Sequence, residues 1–341
     1  MPEAGQPRSE IAARQAPRKA PQPLSGAALV VLAGGVGGAK LAHGLQAHLG
    51  EGLTVVVNTA DDLERHGLLV CPDHDTVMYT LAGIDNREWG WGIAGETFAA
   101  SEMLARYGEP TWFRLGDRDL ATHIVRTRRW RDGERMTPIA LDLQAALGVR
   151  ARILPMTDAP VRTQVLTDEG WLGFQTYFVA RHQQPEVLEV RFEGIGSATA
   201  TPEVVAAFEA AEAIVVAPSN PFVSVAPILA VPGIRGAIDA ARDRGVPVAA
   251  ISGIVGGRAV KGPADRMIAS LAGEAPTAVA VARRYVGWVD LFVLDAVDAG
   301  LEAEISDLGF ATLITDTMMV DDATRARLAG EVVGALAVRR R

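Results

Sequence analysis

The chain has 341 residues, 49% of them hydrophobic, enough to build the core of one large domain. A formal net charge of -8 and an isoelectric point near 5.4 exclude a general nucleic-acid surface, though a local cation could still hold an anionic ligand. The single cysteine, Cys71, excludes an intrachain disulfide framework and fits a reducing cytoplasm; no run of eighteen apolar residues offers a membrane span.

Residues 1–25 are rich in Pro, Ala, Arg and Gln and lack the apolar core of a secretory signal, so they are predicted to be a disordered arm. Residues 26–341 read as a single α/β domain. The run at 28–33 (ALVVLA) suits a strand buried on both faces and ends in glycines. A helix is predicted over 39–49 and a second parallel strand over 53–57, which makes a βαβ unit. The stretch 96–148 is largely helical, part of a helical insertion around 83–150. Further strands are predicted at 152–155, 213–217, 246–251, 291–294 and 311–314, with helical patterns between most of them. An antiparallel β-hairpin is predicted around 161–193, its arms 161–165 and 171–179 flanking the turn Thr167-Asp168-Glu169-Gly170. A closing helix over 321–339 has Asp321 or Asp322 as its cap. The alternation predicts a doubly wound, mostly parallel Rossmann-like sheet.

The turn Gly34-Gly35-Val36-Gly37-Gly38 lies between the first strand and its helix. Glycines there allow close backbone approach, and the helix start offers free N–H groups to phosphate oxygens. The run completes neither G-x-G-x-x-G, since Lys40 stands at the last glycine position, nor a P-loop. A tight, closely packed turn is the other reading.

Four aspartates follow the second strand: Asp61 and Asp62, then Asp73 and Asp75. Carboxylates at that sheet edge suit a hard cation such as Mg2+, which takes oxygen ligands together with substrate phosphates. The alternatives are a solvated loop for Asp61 and Asp62, and for Asp75 the cap of a helix starting at Thr76. Cys71 reads as a packing residue. A second polar cluster joins a short strand expected at 111–113 to a helix carrying Thr122, His123 and Arg126. There Arg114, Arg118 and Arg126 could grip phosphate or carboxylate, Asp117 could cap the helix, and His123 reads equally as core. Ser219 and Asn220, between Pro218 and Pro221 after another strand, could bond a ligand or simply stiffen a turn.

These motifs together resemble the 2-phospho-L-lactate transferase family of coenzyme F-420 biosynthesis, including its bacterial phosphoenolpyruvate-type members. The matching runs are Gly34 to Lys40, Val57 to Asp62, Cys71-Pro72-Asp73-His74-Asp75-Thr76-Val77-Met78-Tyr79, Leu115 to Asp119, Leu154 to Asp158 and Pro218 to Pro221. The resemblance covers about residues 30–336, and the glycine run inclines toward the phosphoenolpyruvate type. It implies that a three-carbon phospho-acid passes from a guanosine diphospho donor to the terminal hydroxyl of the deazaflavin Fo, with release of GMP. It further implies Mg2+ at Asp61 and Asp75, with Asp73 a third candidate, and one of these acids acting on the Fo hydroxyl. Asp75 and Arg114 are implied against Fo. The glycine turn, with Gly34, Gly35, Gly37 and Gly38, is placed against the donor's phosphates, Lys40, Asn58 and Thr59 are further substrate-binding candidates, and Ser219 and Asn220 are placed toward the guanosine. A homodimer, a cytoplasmic location and a functional link to a guanylyltransferase are expected. Asp61→Asn and Asp75→Asn are each expected to abolish transfer and leave the fold intact. The alternatives are a nucleotide-sugar-binding regulator of a sister group and a dinucleotide-dependent oxidoreductase. The second acid pair disfavours the latter, because a ribose-binding acid usually stands alone.

Overall fold

In the computed structural model, which describes residues 28–339, the first apolar run becomes strand β1 (Leu29–Ala33), buried throughout. Leu29, Val31 and Ala33 enter one core cluster and Val30 and Leu32 another. The two-residue pleat requires this of a strand covered on both faces. The arm expected at residues 1–25 lies outside the described residues.

Helix α1 (Gly35–Leu49) leads to β2 (Leu53–Val57), parallel to β1. A short hairpin, β3 (Leu63–Arg65) and β4 (Leu68–Val70), follows, turning through His66 and Gly67 at positive φ. Four helices come next: α2 (Pro72–Leu81), α3 (Ala99–Arg106), α4 (Asp119–Arg131) and α5 (Met136–Ala146). The chain then returns as β5 (Arg152–Pro155), beside β2. Strands β6 (Arg162–Thr167), β7 (Gly170–Gly173) and β8 (Glu189–Glu193) form a separate antiparallel sheet with β6 in the centre.

The second half winds the other way. Helix α6 (Pro202–Ala210) precedes β9 (Ala213–Val216), which pairs with β1 on the side away from β2. Helices α7 (Ala226–Ala230) and α8 (Ile234–Asp243) lead to β10 (Val248–Ile251) and a small hairpin, β11 (Ile254–Val255) and β12 (Arg258–Ala259). Then come α9 (Ala264–Ala272), α10 (Ala278–Arg283), β13 (Leu291–Asp295), α11 (Glu302–Asp307), β14 (Ala311–Thr315) and α12 (Asp322–Ala337). The main sheet runs β14-β13-β10-β9-β1-β2-β5, every pair parallel. Helices α1, α2 and α12 cover one face, and α6 to α11 the other. This is the expected doubly wound Rossmann-like sheet. Gly44 lets α1 and α12 touch, since a Cβ there would sit 2.1 Å from the Arg325 carbonyl oxygen. No single helix among the described residues is long and apolar enough to cross a membrane.

Several local expectations are corrected. Residues 111–113 form a bend. The strand expected over 171–179 ends at Gly173 and gives way to a wide helical turn, Thr176–Ala180. Phe174 and Tyr177, three apart, pack into one cluster with Val165, Val187, Val223 and Met267, a helical spacing rather than a strand alternation. Helix α1 begins at Gly35, not at residue 39, so the glycines form its first turn. Helix α2 begins at Pro72, where a missing N–H costs nothing, and Asp75 therefore lies inside its first turn instead of capping it.

Asp117 does not cap the helix that follows it. Its carboxylate accepts from Ala99 N and Ala100 N, 3.0 Å each, at the start of α3. Glu96 returns the arrangement by accepting from Arg118 N and Asp119 N at the start of α4. Each helix start is satisfied by an acid beside the other, which locks α3 to α4. Asp321 caps α12 through a capping box with Thr324.

Candidate functional site

Strands β1 and β9 are neighbours, but the chain leaves them toward opposite edges of the sheet. The loops after such a pair part and leave a crevice at their carboxyl ends. Here those loops are the glycine turn and Pro218-Ser219-Asn220. The Ser219 hydroxyl accepts from Gly34 N at 3.1 Å and donates to Gly34 O at 2.9 Å. A Cβ on Gly37 would lie 2.3 Å from the Pro218 carbonyl oxygen, and one on Gly34 would lie 2.6 Å from Ser224 Cβ. These glycines are therefore required for packing. The same packing brings the start of α1 to the wall of a cavity of about 840 Å3.

Gly34, Gly35, Gly37, Lys40, Asp61, Asp73, Asp75, Arg114, Ser219 and Asn220 all line this cavity. Gly38, Asn58 and Thr59 stand behind its wall. Asn58 is fully buried and acts as a brace. Its Oδ1 accepts from Ala60 N at 2.9 Å, and its Nδ2 donates to Asp73 Oδ2 at 3.0 Å and to Val223 O at 3.3 Å. Asn220 Oδ1 caps the turn after it by accepting from Phe222 N at 2.9 Å.

The acids fall into two groups. Asp61 Oδ1 is buried without a hydrogen-bond partner. Burial and the nearby Asp73 carboxylate push Asp61 well above the usual carboxylate range. Asp73 is raised to about 6 and Asp62 to about 7, in both cases by burial. An orphaned buried oxygen beside a second carboxylate is a hard-oxygen donor set short of positive charge, and it fits a divalent cation.

Asp75 differs. Burial alone would raise it, but Arg126 holds it well below the usual range. The Arg126 guanidinium is itself buried and grips both Asp75 oxygens, Nη1 donating to Oδ2 at 3.0 Å and Nη2 to Oδ1. His123 Nδ1 lies 3.7 Å from Asp75 Oδ2 and its Nε2 lies 3.2 Å from Asp119 Oδ1. The Tyr79 hydroxyl donates to Asp119 Oδ1 at 2.6 Å. Asp75, Asp119 and His123 could also surround a cation, but Arg126 already neutralises Asp75. Asp75 and Tyr79 are four apart on α2; Asp119, His123 and Arg126 stand at i, i+4 and i+7 on α4. That helical spacing is the sequence signal that pairs the two faces. Arg126 thus meets a carboxylate, whereas Arg118 donates to the Ala94 carbonyl.

Aromatic residues complete the wall. Trp89, Trp91, Trp112, Phe113, Phe174 and Phe178 face the cavity. Arg114 lies over the Phe98 ring at 4.0 Å and is exposed. Spacing alone did not single out these rings, because they come from distant segments. Cys71 is buried, and burial raises its thiol, in keeping with a packing role.

The raised acids carry a pH signature. Asp62 and Asp73 have folded-state values above their ordinary ones, so their contribution is fully present below about pH 4 and is lost as pH rises through 6 to 7. Each group changes stability by up to about 1.4 kcal/mol per pH unit in that window. Asp75 has the opposite sign, but its window lies at lower pH. Calorimetry in EDTA should therefore give a lower Tm at pH 8 than at pH 5.5. Added Mg2+ should raise Tm more at pH 8, where it need not displace protons. A metal-free Tm that climbs from pH 5.5 to 8 would contradict the assignment.

The family model described as 2-phospho-L-lactate transferase CofD matches residues 29–309. The chain is 45% identical to the phosphoenolpyruvate transferase of Streptomyces griseus, covering 87% of this chain and 95% of that protein. It is 38% identical to the 2-phospho-L-lactate transferase of Methanosarcina mazei, covering 90% of this chain and all of that one, 100%. Among solved structures, a UPF0052 family member from Bacillus halodurans superposes with a TM-score of 0.53 at 17% identity, over 84% of this chain and 91% of that one. At that identity the likeness concerns the fold.

Proposed function

The chain belongs to the 2-phospho-L-lactate transferase CofD family, and from that premise we propose that it transfers a three-carbon phospho-acid, enolpyruvyl or lactyl, from a guanosine diphospho donor to the terminal hydroxyl of the deazaflavin Fo. The hydroxyl oxygen forms a bond to the phosphorus next to the acid. The bridging P–O bond breaks, and GMP leaves with its electron pair. The observation that carries this reading is the unpartnered Asp61 Oδ1 beside the Asp73 carboxylate, in one cavity with the α1 glycine turn and Arg114.

Asp61 and Asp73 would hold Mg2+, with Asp75 a third candidate whose ligation competes with Arg126. When bound, the ion supplies neutralisation of the diphosphate charge. Asp75, kept ionised by Arg126, would orient the Fo hydroxyl by accepting its hydrogen bond; held so far below the usual range it is a weak base, and the proton leaves past the raised acids to solvent. Arg114 and the aromatic wall take the flat deazaflavin. The start of α1 offers N–H groups to the donor phosphates. Ser219 reaches the donor only by leaving Gly34, so its larger part is to hold the two loops together. A cytoplasmic homodimer, supplied with donor by a guanylyltransferase, completes the proposal.

The test is incubation with GTP, Fo, each three-carbon phospho-acid and the partner guanylyltransferase, followed by mass spectrometry. GMP release that requires both Fo and Mg2+ is expected, and the product mass identifies the acid. Nucleotide-sugar binding without Fo-dependent GMP release would instead favour the regulator of the sister group.

A further inference from the structure

Arginine carries nearly all the positive charge of this chain: its 33 basic residues include three lysines, Lys19, Lys40 and Lys261. The two in the described residues line the same cavity. Lys40 lies on α1, half-buried, and its Nζ donates to the Met319 carbonyl at 2.9 Å. Lys261 follows β12 and is exposed; its Nζ donates to the Trp89 carbonyl at 2.9 Å. Each ammonium spends one N–H on a neutral carbonyl and keeps two. Neither makes a salt bridge among the described residues; Asp85 acts on Lys40 only from a distance, and Arg325 opposes it.

The pocket around these amines is shaped for them. Gly90 has φ +74°, and a Cβ there would sit 2.4 Å from Lys261 Nζ and 3.5 Å from Val36. The acids and the amines thus border different parts of one helix start. Gly34 and Gly35 abut Asp73, while Gly90 abuts both Val36 and the Lys261 ammonium. Burial lowers both lysines, and Lys40 lowers Lys261 further. Val36 and Lys40 are four apart on α1, and Gly90 lies against both Val36 and the Lys261 ammonium, so the two amines border one side of that helix with no carboxylate among the described residues in salt-bridge contact with either, the converse of the carboxylates at Asp61.

We propose that Lys40 and Lys261 form a paired-ammonium phosphate subsite that takes the 5′-phosphate of the departing nucleoside monophosphate. This rests on the transferase reading above. In that reaction the electron pair of the broken P–O bond stays on the leaving phosphate, whose charge rises by one, while the hydroxyl proton departs on the acid side. Two compact ammonium groups meet that dianion, and each keeps two donors that can turn toward it. The three-carbon acid also carries a carboxylate, so the test separates the two anions.

The experiment is calorimetric titration of GMP, and separately of phosphoenolpyruvate, into the full chain and its K40M, K261M, doubly Met-substituted and doubly Arg-substituted forms. Fo binding is followed by fluorescence. Each Met variant should weaken GMP about 10- to 100-fold, leave Fo affinity within about twofold of wild type, a ratio near 1, and melt like wild type. The Arg form should retain most GMP affinity. GMP affinity unchanged in the double Met form overturns the subsite while Fo-dependent GMP release still stands. Loss of phosphoenolpyruvate affinity alone, equal losses in the Arg and Met forms, or a wild type that binds no GMP overturns it too. Lysine-dependent GMP binding without Fo-dependent release keeps the subsite and removes the transferase reading.

Discussion

Asp61→Asn should lower the transfer rate by on the order of 10^3-fold or more, yet leave the metal-free protein as stable as wild type or more so. The rate falls because an amide cannot supply the anionic oxygen that holds a cation against the diphosphate. Such neutralisation contributes several kcal/mol to the transition state, and each 1.4 kcal/mol is tenfold in rate. Stability holds because Asp61 is a buried acid with an unpartnered Oδ1, raised by burial and by Asp73. A neutral group removes that repulsion. The same variant should lose the Mg2+-dependent rise in Tm. Wild-type turnover of Fo by the purified variant in Mg2+ would end the assignment.

Arg126→Met should destabilise the protein by about 3–5 kcal/mol, the usual loss when one partner of a buried ion pair is removed. The variant strands Asp75 among His123, Asp119 and Tyr79, all buried. Asp75→Asn should have a similar cost, because it leaves the Arg126 guanidinium buried without a counter-charge. The sequence alone led to the expectation that Asp75→Asn would spare the fold; the buried pair reverses that. Replacing both residues with apolar ones of like volume should recover much of the loss but not the activity. Urea denaturation measures all three, and an Arg126→Met midpoint equal to wild type would show the pair to be dispensable.

Much of the fold was legible because parallel strands buried on both faces read as continuous apolar runs. Residues 28–33, 53–57 and 152–155 fell within a residue of their strands. The aromatic turn after Gly173 was misread because Phe174 and Tyr177 resemble strand residues until their shared core is known. The capping of α3 by Asp117 and of α4 by Glu96 was missed for a related reason. A cap is normally sought just before its own helix, and here each is supplied from about twenty residues away.

The sequence by itself determined which residue types the site has to work with. These are the acids after the second strand, the glycines after the first, Arg114, and a chain nearly free of lysine. Those features are local, set by backbone sterics and by the chemistry of neighbouring side chains. Tertiary structure decided which of them meet. Ser219 touches Gly34 across 185 positions because β9 pairs with β1. Asp75 is neutralised by Arg126 while Asp61 Oδ1 is left without a hydrogen bond, and Lys40 and Lys261 come to line one cavity. Parallel strands need long crossovers, so residues that meet at the sheet edge are far apart in sequence, and only the strand order assigns them partners.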